Sequence, residues 1–349
     1  MKNKLIQKLF DQPLDIIGDV HGEIDALRSL LAQLGYDANG HHPDNRKLVF
    51  IGDLCDRGVD SIAVFALVKH LIDQGNAQCI LGNHELNLLI NSKREGNGWF
   101  FGSPHDDDQK SFNSRPATQD DREWILEFLN TLPLVLESDQ LRVVHACWNR
   151  SSIDALKACS CDSIPDVYAY FEQEARNYMQ QSGIAAHAQQ ELTEYQGQLK
   201  DPQARIPFLL NLGRKDVLEQ MNNPVKVLTS GAETLAEQPF YAGGKWRMVD
   251  RHAWWDEYRD DTPVIIGHYW RKIKTNGEKS IFKNIDTLAW FGAKNNVYCV
   301  DYSVGKRYLD RARQNQFNDL LAALRMPEKI LILEDGSIYP TSSDESMIE

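Results

Sequence analysis

Six residues of this 349-residue chain are of metal-ligand type and stand at strand ends: Asp19, His21, Asp53, Asn83, His145 and His268. They fall in LDIIGDVHG (14–22), KLVFIGDLCDRG (47–58), QCILGNHE (78–85), LRVVHA (141–146) and PVIIGH (263–268). Each segment reads as a buried apolar strand that passes at once into Asp, Asn or His. In an open α/β sheet, ligands gather at the carboxyl ends of the strands, so one rule brings five distant stretches to one polar site. Asp19 and His21 alternate across a bend and can face one metal. Asp53 can bridge two metals, and Asn83, His145 and His268 supply neutral ligands to the second. Mixed carboxylate, imidazole and amide ligands suit Mn, Fe or Zn, while Mg and Ca prefer oxygen shells. The expectation is two divalent ions, Mn first, with Fe, Zn or Mg as alternatives. Two ions about 3.5–4 Å apart acidify a bridging water and clamp the oxygens of an in-line displacement, chemistry suited to phosphorus.

Three more residues complete a reaction. The planar fork of Arg57 can hold phosphate oxygens. His84, beside Asn83, is placed to protonate a leaving-group oxygen, and Asp56 can orient its ring and favour the imidazolium. The expectation is direct hydrolysis by a metal-activated hydroxide, with Arg57 on the phosphoryl group, His84 as general acid and no phosphoenzyme.

These residues need a scaffold. EIDALRSLLAQLG carries Ile24, Leu27, Leu30, Leu31 and Leu34 at helical spacing and stops at Gly35. DSIAVFALVKHLIDQG is a second amphipathic helix, so residues 14–85 alternate strand and helix and predict a largely parallel sheet. Residues 92–120 read as a long loop holding Trp99, Phe100 and Phe101, which could stack on an aromatic substrate or anchor the loop. DREWILEFLNTLP reads as a helix, PLVLESDQLRVVHACW as two strands about Ser138 and Asp139, and KILILEDGSIYP as a closing hairpin. From 151 to 223 glutamine, alanine and glutamate rise and strand runs vanish, which predicts a helical cap inserted in a catalytic domain of residues 14–150 and 224–340. Strand character returns near VKVLTSG.

Composition bounds the rest. Hydrophobic residues at 42% and charged residues at 25% are ordinary for a globular protein. A formal charge of −12 argues against a broad grip on nucleic acid or an anionic membrane. Neither a membrane span nor a secretory signal is visible, so the expected location is the cytoplasm. Cys55, Cys79, Cys147 and Cys299 lie in or beside apolar runs and read as buried thiols, and Cys159-Ser-Cys161 lacks the second pair of a zinc site. His41, His42 and His105 read as solvated, as does the run Asp106-Asp107-Asp108.

GDVHG, GDLCDRG and GNHE, with the later histidines of VVHA and IIGH, resemble the phosphoprotein phosphatase family of binuclear metallophosphoesterases. The resemblance implies an α/β calcineurin-like fold, a central β-sandwich flanked by helices, two metals and phosphoester hydrolysis. It gives metal roles to Asp19, His21, Asp53, Asn83, His145 and His268, and phosphate and proton roles to Arg57, His84 and Asp56. A single histidine in Gly267-His268-Tyr269-Trp270, together with Arg57, points away from the phosphodiesterase branch. VYCVDYSVGKRYL (297–309) resembles bacterial diadenosine tetraphosphatase-like and polynucleotide-phosphatase-like members, with Asp301 and Gly305 in the matching places. The family usually has a second phosphate-binding arginine between the last two histidines. Arg214, Arg247 and Arg251 are available, and the RHAWWDEY context favours Arg251. The leading expectation is a phosphomonoesterase, including action on phosphoserine, phosphothreonine or phosphotyrosine proteins. Hydrolysis of dinucleoside polyphosphates is the alternative, and a non-catalytic metal-binding regulator comes last.

Overall fold

A computed structural model describes residues 4–102, 114–161, 163–277, 280–313 and 316–341. In chain order it begins with β1 (Ile6–Lys8), β2 (Leu14–Ile17), α1 (Ile24–Leu34), β3 (Lys47–Phe50), α2 (Ser61–Asp73) and β4 (Ala77–Cys79). Then come α3 (Asn83–Leu89), α4 (Gly98–Phe101), α5 (Gln119–Leu129), β5 (Val135–Glu137) and β6 (Arg142–Val144). A helical run follows: α6 (Arg150–Ala158), α7 (Ile164–Gln181), α8 (Ile184–Tyr195), α9 (Leu210–Met221) and α10 (Pro224–Ser230). The hairpin β7 (Glu233–Ala242) and β8 (Lys245–Arg251) comes next, then β9 (Val264–Ile266), β10 (Val297–Cys299), α11 (Arg307–Arg313), β11 (Ala322–Met326), β12 (Ile330–Leu333) and β13 (Ile338–Pro340). The chain divides into two compact units, residues 1–148 with 255–349, and residues 149–254.

The first unit is a sandwich of two sheets ordered β1-β5-β6-β9-β10 and β13-β12-β11-β2-β3-β4. Strands β2, β3 and β4 are mutually parallel, as are β6, β9 and β10, so the site-bearing strands of each sheet point one way. The apolar alternation of both inner faces makes one core: Ile16, Val49, Leu324 and Leu331 from one sheet meet Leu136, Val143, Ile265 and Tyr298 from the other. Helix α1 buries its stripe of Leu27, Leu30, Leu31 and Leu34 and ends at Gly35, whose φ of 91° closes the last turn. Helix α2 starts where Asp60 accepts the Ala63 N–H.

One buried ion network ties the central strand to its neighbours. On β2, Asp15 accepts from Arg46 Nε (3.3 Å), Arg325 Nε (2.8 Å) and Tyr36 OH (2.9 Å), and none of its surface is exposed.

The second unit, residues 149–254, contains the glutamine-rich helices of 151–223 and extends to Trp254, so it also takes in α10 and the β7–β8 hairpin. Its core joins Ile206, Leu209, Leu212 and Met248.

Three readings of the sequence change. VKVLTSG is helix α10 rather than strand: Asn223 caps it by accepting the Val225 N–H, and Pro224 at the first turn fixes a helical φ, which overrides the β-branched run. Residues 98–101 of the expected loop form α4, while His105 and Asp106–Asp108 lie outside the described residues. His42 is packed rather than solvated, since its side chain is only 6% exposed and its Nε2 sits 3.0 Å from the Leu34 carbonyl at the end of α1. Among the described residues, no helix is long and apolar enough to cross a membrane.

Candidate active site

Each residue expected as a ligand stands just past the carboxyl end of its strand. Asp19 and His21 follow β2, Asp53 follows β3, and Asn83 opens α3 after β4; His145 follows β6 and His268 follows β9. The turns are tight: His21, Asp53 and His268 all have positive φ (49°, 48° and 68°), as do Asp56 (71°) and Arg57 (69°). Such backbone costs of the order of 1–3 kcal/mol per residue and persists where the surroundings over-determine it.

Asp53 is the centre of the cluster. Its Oδ2 lies 3.4 Å from His145 Nε2 and 3.9 Å from both His21 Nε2 and His84 Nε2. Donor atoms of His21, Asp53 and His84 lie within 4.8 Å of one another, and so do those of Asp53, His145 and His268. Asn83 Oδ1 is 2.8 Å from His268 Nδ1 and 3.3 Å from His145 Nε2. Asp19 Oδ2 is 3.9 Å from His21 Nε2 and accepts the His268 backbone N–H at 3.2 Å. The six expected ligands therefore come together. Two of the rings are held from behind, His21 Nδ1 on the Cys55 carbonyl (3.0 Å) and His145 Nδ1 on the Ile51 carbonyl (2.7 Å), which turns each Nε2 toward Asp53.

The charges in this cluster fit a cation. Burial, followed by the charges of Asp301 and Asp53, raises the Asp19 carboxyl well above its usual range. Burial also works to raise Asp53, but the imidazoles of His145, His84 and His21 outweigh it and hold Asp53 well below. Burial opposes a charged His145 ring, yet Asp53 and Asp19 push it up to about 10. Burial, Arg57 and His84 together hold His21 well below its usual value. A divalent ion among these donors offsets the repulsion of the buried carboxylates, and imidazole, carboxylate and amide oxygen are suitable donors for one.

Beside the cluster, His84 Nδ1 meets Asp56 Oδ2 at 2.5 Å, and Asp56 Oδ1 accepts from Trp99 Nε1 at 2.6 Å. Arg57 Nη1 lies 3.1 Å from His21 Nε2, and its Nη2 lies 3.1 Å from His84 Nε2. Its buried Nε has no hydrogen-bond partner among the described residues. The guanidinium lies 4.5 Å from the Trp270 ring centroid, and the Lys306 ammonium lies 4.8 Å from the same ring. Arg251, the favoured second arginine, belongs to the second unit, opposite Glu233 in the β7–β8 ladder; Arg247 and Arg214 belong to that unit too.

Supporting residues went unassigned in the sequence. The fully buried carboxylate of Glu85 accepts four backbone N–H groups, from Gly82 (3.0 Å), Asp53 (2.8 Å), Leu54 (2.8 Å) and Cys55 (3.2 Å). Its signal was its place at the end of GNHE, three residues after a helix-capping glycine. Asp301 accepts from the Trp270 and Ser303 N–H groups, both at 2.8 Å, and so braces the turn after His268. Trp99 and Phe100 are buried, so the aromatic triplet anchors its segment and Trp99 is no stacking platform.

Residues 13–183 match the calcineurin-like phosphoesterase family. A bis(5'-nucleosyl)-tetraphosphatase [asymmetrical] of Oceanobacillus iheyensis is 51% identical over 74 residues, covering 20% of this chain and 30% of that protein. A symmetrical bis(5'-nucleosyl)-tetraphosphatase of Marinomonas sp. is 33% identical over 147 residues, covering 40% of this chain and 48% of that protein. The chain thus spans less than half the length of these curated relatives. A cold-active protein-tyrosine phosphatase of a psychrophilic Shewanella species aligns over 98% of this chain and 85% of its own, with TM-score 0.47 and 14% identity. Residues 13–183 therefore carry a calcineurin-like metallophosphoesterase domain, a type of domain that works with bound divalent metal ions.

Proposed function

We propose that this protein hydrolyses phosphoesters with two divalent ions held by Asp19, His21, Asp53, Asn83, His145 and His268. The observation that carries the reading is the pair of donor groups sharing Asp53, with a carboxylate-bound His84 on one edge. When bound, the ions supply an acidified water as nucleophile and neutralise charge on the phosphoryl oxygens. The other steps belong to side chains. Arg57 holds phosphoryl oxygens through its planar fork, and its two Nη groups stand beside His21 and His84. A phosphoryl group on Arg57 therefore lies next to the proton donor. His84, fixed through Nδ1 by Asp56, gives a proton from Nε2 to the leaving oxygen. Buried walls around Asp53 and Asp56 keep bulk water from competing for these bonds.

The leading substrate class is phosphomonoesters, phosphoproteins among them. A second reading, cleavage of dinucleoside polyphosphates, is favoured by the names of the curated relatives and by Lys306, a further cation beside Arg57 and Trp270. With Mn, the purified protein is expected to hydrolyse p-nitrophenyl phosphate, and Asp53→Asn or His84→Ala to lower kcat by about 10²–10⁴-fold. Equal rates for variants and parent would refute the mechanism. Chromatography of products from diadenosine tetraphosphate separates the substrate classes: absence of both ADP and the ATP–AMP pair while the monoester is cleaved removes the second reading.

A further inference from the structure

The geometry points to Trp99 as a positioning residue that acts on the proton donor through Asp56. This inference rests on the reading of His84 as general acid. Both oxygens of the buried Asp56 carboxylate are committed, Oδ2 to His84 Nδ1 at 2.5 Å and Oδ1 to the indole N–H of Trp99 at 2.6 Å. The backbone side of Asp56 is fixed as well, its N–H donating to Ser61 Oγ at 3.0 Å in a residue with φ of 71°. Indole N–H is a donor only, so it can stabilise the carboxylate and cannot compete with His84 for a proton. The Trp99 ring is wedged between Phe65 (6.3 Å between centroids) and Phe100 (5.4 Å). An aromatic wedge thus aims one N–H at one oxygen and leaves the other oxygen a single direction, toward His84. Without that N–H, Oδ1 is buried and unsatisfied, and the carboxylate gains freedom to turn away from the imidazole.

The test compares phenyl phosphate, a poor leaving group, with p-nitrophenyl phosphate, a good one, on the Mn-loaded full chain. Trp99→Phe keeps the wedge and removes the donor. It is expected to lower kcat about tenfold on phenyl phosphate and about twofold on p-nitrophenyl phosphate, with KM unchanged, because proton donation matters more to the poorer leaving group. Trp99→His, which retains a ring N–H, is expected to keep the parental ratio of the two rates, and it serves as the second variant should Trp99→Phe fold poorly. In an Asp56→Asn background Trp99→Phe should change kcat by no more than about twofold, since residues acting through one partner are non-additive. A uniform loss on both substrates, or the same tenfold loss in both backgrounds, would overturn the inference. His84→Ala is run alongside. If its loss does not depend on the leaving group, the general-acid reading is what has failed, and the double-mutant comparison still decides whether Trp99 acts through Asp56.

Discussion

Gly305 lies against His21, so Gly305→Ala tests whether the position of that ring sets metal binding. A methyl group at 305 would stand 2.3 Å from His21 Cδ2, 2.9 Å from Cγ and 3.0 Å from Nε2. Carbon atoms in good contact sit about 3.5–4.0 Å apart, so the ring edge must retreat by more than about 1 Å. Little allows it to do so without loss. The His21 N–H is bonded to the Asp53 carbonyl (2.9 Å), Nδ1 to the Cys55 carbonyl (3.0 Å), and the ring meets His84 edge to face at 4.8 Å. Retreat breaks the Cys55 bond or carries Nε2 away from Asp53. Displaced ligand supports typically cost about 10–100-fold in metal affinity. A misplacement of about 1 Å costs roughly 10²-fold in rate. Overpacking of about 1–3 kcal/mol should leave the variant folded. Isothermal titration of chelator-stripped protein with Mn, paired with kcat on p-nitrophenyl phosphate, measures both losses. Gly197→Ala, where an added Cβ meets nothing within 4 Å, is the control and should match the parent. If Gly305→Ala binds Mn as tightly as the parent and turns over as fast, His21 does not hold metal in the way proposed.

Two further substitutions probe the support of the site. Glu85→Gln replaces a carboxylate that accepts four N–H groups by an amide with one acceptor oxygen, leaving at least two buried donors facing an NH2. At about 1–3 kcal/mol per orphaned group the expected loss is about 2–6 kcal/mol, read by urea denaturation of metal-free protein. A change below about 0.5 kcal/mol would mean that the Asp53 loop is held by something else, because ordinary surface changes reach that size. Asp15→Ala should cost about 3–5 kcal/mol by leaving buried charge unpaired. The lower end is favoured, because Arg46 keeps Glu328 at 2.8 Å and the Met326 carbonyl at 2.7 Å. Asp15 lies within β2 rather than at its carboxyl end, so kcat of the folded variant should stay at the parental value, and a large fall in kcat would contradict its structural role.

The candidate site was legible because its logic is one-dimensional. Apolar runs such as LVFI and PVII each end in a ligand type, and parallel strands then place those ends together without further information. What stayed hidden depends on partners that spacing does not reveal. β11 lies antiparallel between β2 and β12, yet AALRM contains too little alternation to announce a strand. α10 was misread because three β-branched residues outweighed, on the page, the Asn223-Pro224 cap that decides the matter in the fold. The hairpin of the second unit escaped for a related reason: β7 is half-exposed and bulged between Leu235 and Phe240, so its polarity does not alternate. Glu85 and Trp99 were visible as residues but not as roles, since a carboxylate that collects loop amides and an indole that pins a carboxylate are defined only by where those partners arrive.

The backbone at the site connects these observations. His21, Asp53, Asp56, Arg57 and His268 are all non-glycine residues with positive φ, a conformation that L side chains adopt at a cost. The cost is tolerable only if the turns are held from outside, and they are. Glu85 gathers the amides of residues 53–55, Ser61 takes the Asp56 N–H, Asp301 takes the amides of Trp270 and Ser303, and Asp19 takes that of His268. Strand ends alone would deliver the right side chains to the right edge but leave them to point along the strand axis. Left-handed residues just after β2, β3 and β9 turn the chain at the sheet edge, and there Asp53 faces His145 of the other sheet. The buried carboxylates that serve no metal in this scheme, Glu85 and Asp301, therefore matter as much to the geometry as the ones that do, and substitutions at either group should impair the site by different routes.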